Sequence, residues 1–372
     1  MLVLLIKLTV FALAVPFGGV FHPGLTNLEG YQDFRLAYVP LVSNFTGGKM
    51  PYRDFYYAYP PFFLYLLTPF ALFALPTWTM ALPLVMFDVA SAILVFLICL
   101  KLMTSREAFI AAVAFAIAPI NLWYNDFLWL NPPPMTFFIL LGVYAFLLKR
   151  YKSSFACLAI ATLFKQIAFA LFPIFVVTIL NKTDRREAIE NAVLCGLICF
   201  VGSLPYIFAI PRQYLWSLGV PGFSNVWSSA PFTYYLGSPT NLGVVFGENA
   251  YNCAKPFLLA ALLLSFALLC WKIFKAKNVN SVGFVTYILY ALLLFHAFFP
   301  RGIYKYYYAA MTPFDSMLIR SRKAAVVFIG LNVLMLLIPR ILTPWLIVFL
   351  LVLPLVKLKA RRSSCANDTG SN

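Results

Sequence analysis

Charge is what this sequence has least of: only 11% of its 372 residues are Asp, Glu, Lys or Arg, against 63% that are hydrophobic. A soluble domain carries about 25% charged and roughly 45–50% apolar residues, so a water-facing surface cannot be built from this composition. Acidic side chains number 12 and histidines two, and His22 and His296 lie too far apart to suggest a metal site between them. The seven cysteines show neither CxxC nor metal-ligand spacing and fall mostly within apolar runs, which reads as free buried thiols. A Gly-rich phosphate loop, a GxSxG elbow and an HExxH helix are all missing, which removes the motif-based nucleotide-binding, serine-hydrolase and zinc-protease readings.

What is present is a succession of apolar stretches from Leu2 to Val356. A membrane-spanning helix needs about 20 such residues, because lipid offers no partner for backbone N–H and C=O groups. The fold class is therefore all-α, a polytopic transmembrane bundle. Met1–Val20 resembles a signal peptide in its lone Lys7 and apolar run, but no small-residue cleavage site follows, so it reads as a retained first span. The net charge of +16 is gathered in short clusters between apolar runs: Lys101/Arg106, Lys149–Lys152, Lys182–Arg186, Lys272–Lys277, Arg320–Lys323 and Lys357–Arg362. The positive-inside rule assigns these to the cytoplasm. Segments rich in Trp, Tyr, Pro and Gly, namely Phe21–Tyr59, Trp123–Asn131, Ile210–Ala250 and Phe299–Ile303, then face outside.

Parity constrains the path, since each passage between faces takes an odd number of crossings. Pro60–Pro76, with four prolines, is expected to lie in the outer interface while Met80–Leu100 crosses. Ser153–Leu180, basic at both ends, is expected to form a hairpin of two short arms with its tip at Lys165-Gln166. Each arm of about 12 residues rises about 18 Å, which leaves Lys165 within membrane depth. Further crossings are expected at Ala108–Leu122, Pro132–Leu148, Ala188–Ala209, Tyr251–Trp271, Gly283–Phe298, Tyr304–Ile319, Ala324–Ile338 and Ile341–Val356. This gives about twelve membrane segments in one domain, residues 1–356, with both ends inside and a disordered cytoplasmic tail over 357–372.

Against this background a few polar residues stand out. The first external loop mixes Glu29, Asp33 and Asp54 with Arg35, Lys49, Arg53 and a dense run of Tyr and Phe, more than a plain connector needs. It reads either as an aromatic belt with incidental charges or as a substrate-facing loop. Asp126, in WYNDF, is a hydrogen-bonded structural group or a second site carboxylate. Asp88 and Asp315 lie within spans, where an acid is costly unless paired or facing a cavity; Arg320 is near enough in sequence to pair with Asp315. Arg301 and Lys305, in PRGIYKYYYAA, either snorkel to the interface or converge with Lys165 on an anion such as a phosphate head group.

The loop Asp followed by GGKMPYRDFYYAYPP resembles the GT-C superfamily of polytopic glycosyltransferases. Within it the chain is most similar to polyprenyl-phosphate-mannose-dependent mannosyltransferases, through Gly48, Pro51, Tyr52, Asp54, Tyr59, Pro60 and Pro61. It departs from them in having QDF in place of an acidic pair, and in lacking a Gly-Gln pair in the WYNDFLWLN loop. Use of a divalent metal ion, choice of acceptor and the role of Asp126 are left open by those departures. The resemblance implies inverting transfer of a hexose, mannose foremost, from a polyprenyl-phosphate donor to a glycan or glycolipid hydroxyl on the non-cytoplasmic face of a cell or endoplasmic-reticulum membrane. A sugar hydroxyl is a poor nucleophile near neutral pH, so Asp33 is the candidate base. Arg301, Lys305 and Lys165 would stabilise the departing phosphate, with Arg35, Tyr52, Asp54, Tyr59, Asp126 and Gln166 as further substrate contacts. Rival classes are a transporter or flippase of lipid-linked sugars, using Asp88, Asp315 and Lys165 near midplane, and a noncatalytic assembly subunit.

Overall fold

The computed structural model describes residues 2–18, 33–73, 75–218, 242–276, 279–298 and 305–338. Among them there is no strand, and the helices are α1 (Leu2–Ala14), α2 (Val39–Thr46), α3 (Phe62–Leu72), α4 (Leu82–Cys99), α5 (Ser105–Ala116), α6 (Pro119–Asn121), α7 (Pro132–Leu147) and α8 (Tyr151–Phe164), followed by α9 (Phe172–Leu180), α10 (Arg185–Ala209), α11 (Pro211–Ser217), α12 (Leu242–Lys275), α13 (Ser281–Phe298), α14 (Thr312–Ser316) and α15 (Arg322–Leu337). Local chemistry sets several starts. Thr104 and Glu107 form a capping box before α5, Asp184 caps α10 through the Glu187 N–H, and Ser321 caps α15. Prolines open α4, α7 and α9, where a missing N–H costs nothing.

Five helical segments among the described residues are long and apolar enough to cross a membrane: Thr77–Cys99, Ser105–Phe127, Arg185–Ala209, Pro256–Lys275 and Ser281–Phe298. The third bears a lipid-like surface, with Ile189, Val193, Leu197, Phe200, Val201 and Phe208 all exposed. Apolar side chains in such number on one face fit hydrocarbon and not water. Helices α4, α7 and α8 form the packed centre. The α7–α8 crossing is close because Gly142 lacks a Cβ: one added there would stand 3.1 Å from the Ser154 carbonyl oxygen, and Ser154 Oγ donates to Gly142 O at 2.8 Å.

The expected hairpin is seen as two arms broken at Lys165, whose φ of −157° and ψ of 123° are extended. Phe155 in the first arm meets Phe172 and Phe175 in the second, at centroid separations of 6.3 and 6.0 Å. Phe175 also contacts Phe146 at the basic end of α7, so the second arm returns to the side it left. Within Pro60–Pro76, expected to lie in the outer interface, stands α3, whose 11 residues rise only about 16 Å, too little to cross. One expectation needs correction: Tyr304–Ile319 is not a continuous helix. Its described part, residues 305–319, consists of a 3-10 stretch, Lys305–Ala310, then α14, separated by a turn at Met311. Ile341–Val356, the tail, Glu29 and Arg301 lie outside the described residues.

Candidate active site

Lys165 is the centre of the arrangement. At the helix break its N–H still donates to the Ala161 carbonyl, while its side chain enters a buried setting of aromatic faces. Its Nζ donates to Asn131 Oδ1 at 2.8 Å and stands 4.1 Å from the Tyr307 ring centroid, 5.0 Å from Tyr306 and 5.6 Å from Tyr59. Aromatic quadrupoles and one amide oxygen solvate the ammonium in place of water. Next in the chain, Gln166 donates its Nε2 to the Ala58 carbonyl at 3.1 Å and ties the hairpin tip to the YAYPP stretch. Its Oε1 is buried without a partner among the described residues.

Asp33 stands at the start of a π-helical turn, Phe34–Tyr38, a geometry found often at functional sites. The side chain is partly buried; burial lifts its carboxyl above the usual carboxylate range, and the charge of Lys165 opposes the rise. Lys165 thus lies against Tyr59, and Asp33 is near enough for the charge of Lys165 to act on its carboxyl, with Gln166 next to Lys165 in the chain. Arg35, two residues on, is exposed and lines a cavity of about 470 Å³ with Phe17, Phe34, Thr77, Trp78 and Trp129. Phe34 packs edge-on against Trp129 at 4.9 Å, so these two rings form one wall of the cavity. Trp129 holds a φ of +56°, in the left-handed region that bulky residues avoid, and its buried Nε1–H has no partner among the described residues.

Tyr52 and Asp54 support the site from a distance. Tyr52 is fully buried with a φ of +67°, and its hydroxyl donates to the Tyr59 carbonyl at 2.6 Å, closing the PYRDFYYAY stretch into a knot. Its ring also packs against Tyr206 and Tyr214 at 4.9 Å each. Asp54 is exposed and accepts from the Arg53 guanidinium at 2.8 and 2.9 Å and from the Met50 N–H at 2.7 Å. The Arg53 bond first, then the Met50 bond, hold its carboxyl down at about 2. Lys305 is buried, donating its Nζ to the Leu336 carbonyl at 2.9 Å.

Asp126 keeps different company. Lys7 of α1 donates to Asp88 and, at 2.8 Å, to Asp126, while Asn125 Nδ2 donates to Asp88 at 3.0 Å. All of these groups are buried, and Asp126 lies in a second π-helical turn, Leu122–Phe127. Pairing, one of the two readings of Asp88, is therefore what the structure has. Sequence reasoning did not name Lys7 as the partner, although a lysine in an apolar helix facing an excess of acids was the available signal. Asp315 is paired too, but with the Tyr308 hydroxyl at 2.7 Å and not with Arg320. Asn131, Tyr306 and Tyr307 were also missed, since only the fold carries them to Lys165.

Among the described residues no group of three or more His, Cys, Asp or Glu could hold a metal ion. By sequence, neither a family model nor a curated protein matches the chain. By structure it is similar to ArnT from Cupriavidus metallidurans, in the apo state (TM-score 0.53, 15% identity, 87% of this chain and 58% of that one). The same holds for ArnT bound to undecaprenyl phosphate (TM-score 0.52, 16% identity, 87% and 59%). A more distant likeness is to the oligosaccharyltransferase of Archaeoglobus fulgidus in the apo form (TM-score 0.48, 14% identity, 92% and 55%). The chain spans less than three fifths of the length of ArnT. The likeness is one of fold, a polytopic helical membrane bundle.

Proposed function

On the premise of a GT-C fold, we propose that this chain is a membrane glycosyltransferase moving a hexose, mannose foremost, from a polyprenyl-phosphate donor to an acceptor hydroxyl on the face opposite its basic clusters. The observation that carries this reading is that a partly buried carboxylate, Asp33, lies within electrostatic reach of a buried lysine, Lys165, on a separate element, and directly precedes Phe34 and Arg35 of a cavity wall. ArnT, of like fold, has been captured with undecaprenyl phosphate, which supports a lipid-phosphate donor. In this reading the acceptor oxygen attacks the anomeric carbon from the side of Asp33, which takes the hydroxyl proton. The bond from that carbon to the phosphate oxygen breaks, its electron pair stays with the lipid phosphate, and the sugar configuration inverts. Lys165 faces the charge that develops on the phosphate, in a dry setting where one cation acts strongly. Arg35, Trp78 and Trp129 line the cavity on the other flank of Phe34, and we assign it to the acceptor.

Two placements support this sidedness. Lys165 sits at the end of α8 away from Lys152, and Lys305 meets Leu336 at the end of α15 away from Arg322. The flippase reading loses its free midplane acids, since Asp88 and Asp315 are both engaged. The test is Asp33→Asn in purified protein, assayed with a radiolabelled lipid-phosphate sugar; a fall of about 10²–10⁴-fold in turnover is expected. Transfer at the wild-type rate would refute the assignment.

A further inference from the structure

A second cavity, lined by neither Asp33 nor Lys165, lies between α5 and α15, with a volume of about 410 Å³. Its walls are apolar: Phe109, Val113, Ala114 and Ile117 on one helix, Ala325, Val326 and Ile329 on the other. Phe109 is 59% and Val326 72% exposed, so the groove opens sideways, toward lipid in a membrane. At one end only, it carries two arginines, Arg106 and Arg322. Both are exposed, and neither forms a salt bridge among the described residues. Each belongs to the first turn of its helix, where backbone N–H groups add to the positive field.

We propose that this groove binds one anionic phospholipid of the leaflet on the basic side, with an acyl chain between α5 and α15 and the phosphate between Arg106 and Arg322. Length agrees: from Arg106 to Ile117 the helix rises about 16 Å, roughly one leaflet of a hydrocarbon core about 30 Å thick. Charge agrees as well, because paired guanidinium groups suit a phosphate diester. Positive-inside charge by itself calls for no groove beneath it. The chain's own apolar stretch Ile341–Val356 leads into Lys357, Lys359, Arg361 and Arg362, which would set like charge against the arginines.

The probe is native mass spectrometry of the full chain in neutral detergent, with equal amounts of dioleoyl phosphatidylglycerol and dioleoyl phosphatidylcholine. One phosphatidylglycerol retained per chain, in preference to phosphatidylcholine, is expected. Arg106→Gln with Arg322→Gln should weaken retention about tenfold or more. Ala325→Phe, which fills the groove and keeps the charge, should weaken it too, whereas Lys323→Gln, beside the groove but not lining it, should leave it unchanged. Equal retention of both lipids, or a loss in Lys323→Gln as large as that from Arg322→Gln, overturns the site in favour of diffuse surface charge. Absence of any retained lipid overturns it in favour of another occupant, the 341–356 stretch or a second copy. Sugar transfer is not part of this readout, so the two proposals fail separately.

Discussion

Lys165 and Asp33 illustrate how one residue acquires meaning from its surroundings. Burial raises the Asp33 carboxyl, and the Lys165 charge limits that rise. A base must be ionised to act, so kcat/KM should fall as pH drops through this raised pKa. The acid limb should therefore lie above the value of about 3.9 of an ordinary aspartate. By linkage the same shift favours the neutral form in the folded chain, a contribution to stability present at low pH and lost as pH rises through the raised pKa. Lys165→Met should reduce turnover about 10²–10³-fold. With the opposing cation gone, the acid limb of its residual activity should also move to higher pH. A pH–rate profile of the variant with an unmoved limb would uncouple the two side chains.

At the scale of the element, the first helix is held by charge as well as by packing. Lys7 answers two carboxylates, from α4 and from the π-helical turn after α6, in a place where none of the three meets water. Lys7→Met should therefore cost about 3–5 kcal/mol, the usual cost of leaving buried charge without its partner. A lowered thermal midpoint in detergent would report it. Adding Asp88→Asn and Asp126→Asn to that variant should restore most of the loss. A triple variant no more stable than Lys7→Met would mean that charge pairing is not what docks α1. The hairpin makes a parallel case: Gln166→Leu removes the bond to Ala58 while keeping the side chain's bulk, and should lower turnover through misplacement of Lys165 with little change in thermal midpoint.

For the whole molecule, the arrangement predicts opposite labelling from the two sides of the membrane. With native cysteines replaced by serine, Lys49→Cys should react with an impermeant maleimide added outside intact cells, and Lys152→Cys only after permeabilisation. Both positions are exposed, so access and not burial decides the outcome. The same labelling pattern at both positions would overturn the proposed sidedness.

The class of the protein, its helical segments and its basic face were legible in the sequence because lipid imposes them locally: a span needs a continuous apolar run, and a cytoplasmic loop gathers lysine and arginine. Charge and length pointed to a helix too short to cross within Pro60–Pro76 and to a bend of Ser153–Leu180 at Lys165. The GGKMPYRDFYYAYPP stretch announced the loop, but not that Tyr52 would close it with a left-handed backbone. Partnerships across the bundle were not legible. Whether Asp126 served the site or Lys7, which aromatic faces would receive Lys165, and that Lys305–Ser316 would break its helix depended on how helices rotate and cross. Those angles are set by contacts such as Gly142 on Ser154, between surfaces that a bilayer leaves equally apolar on every side, so hydrophobic patterning cannot tell one helix face from another and only packing can.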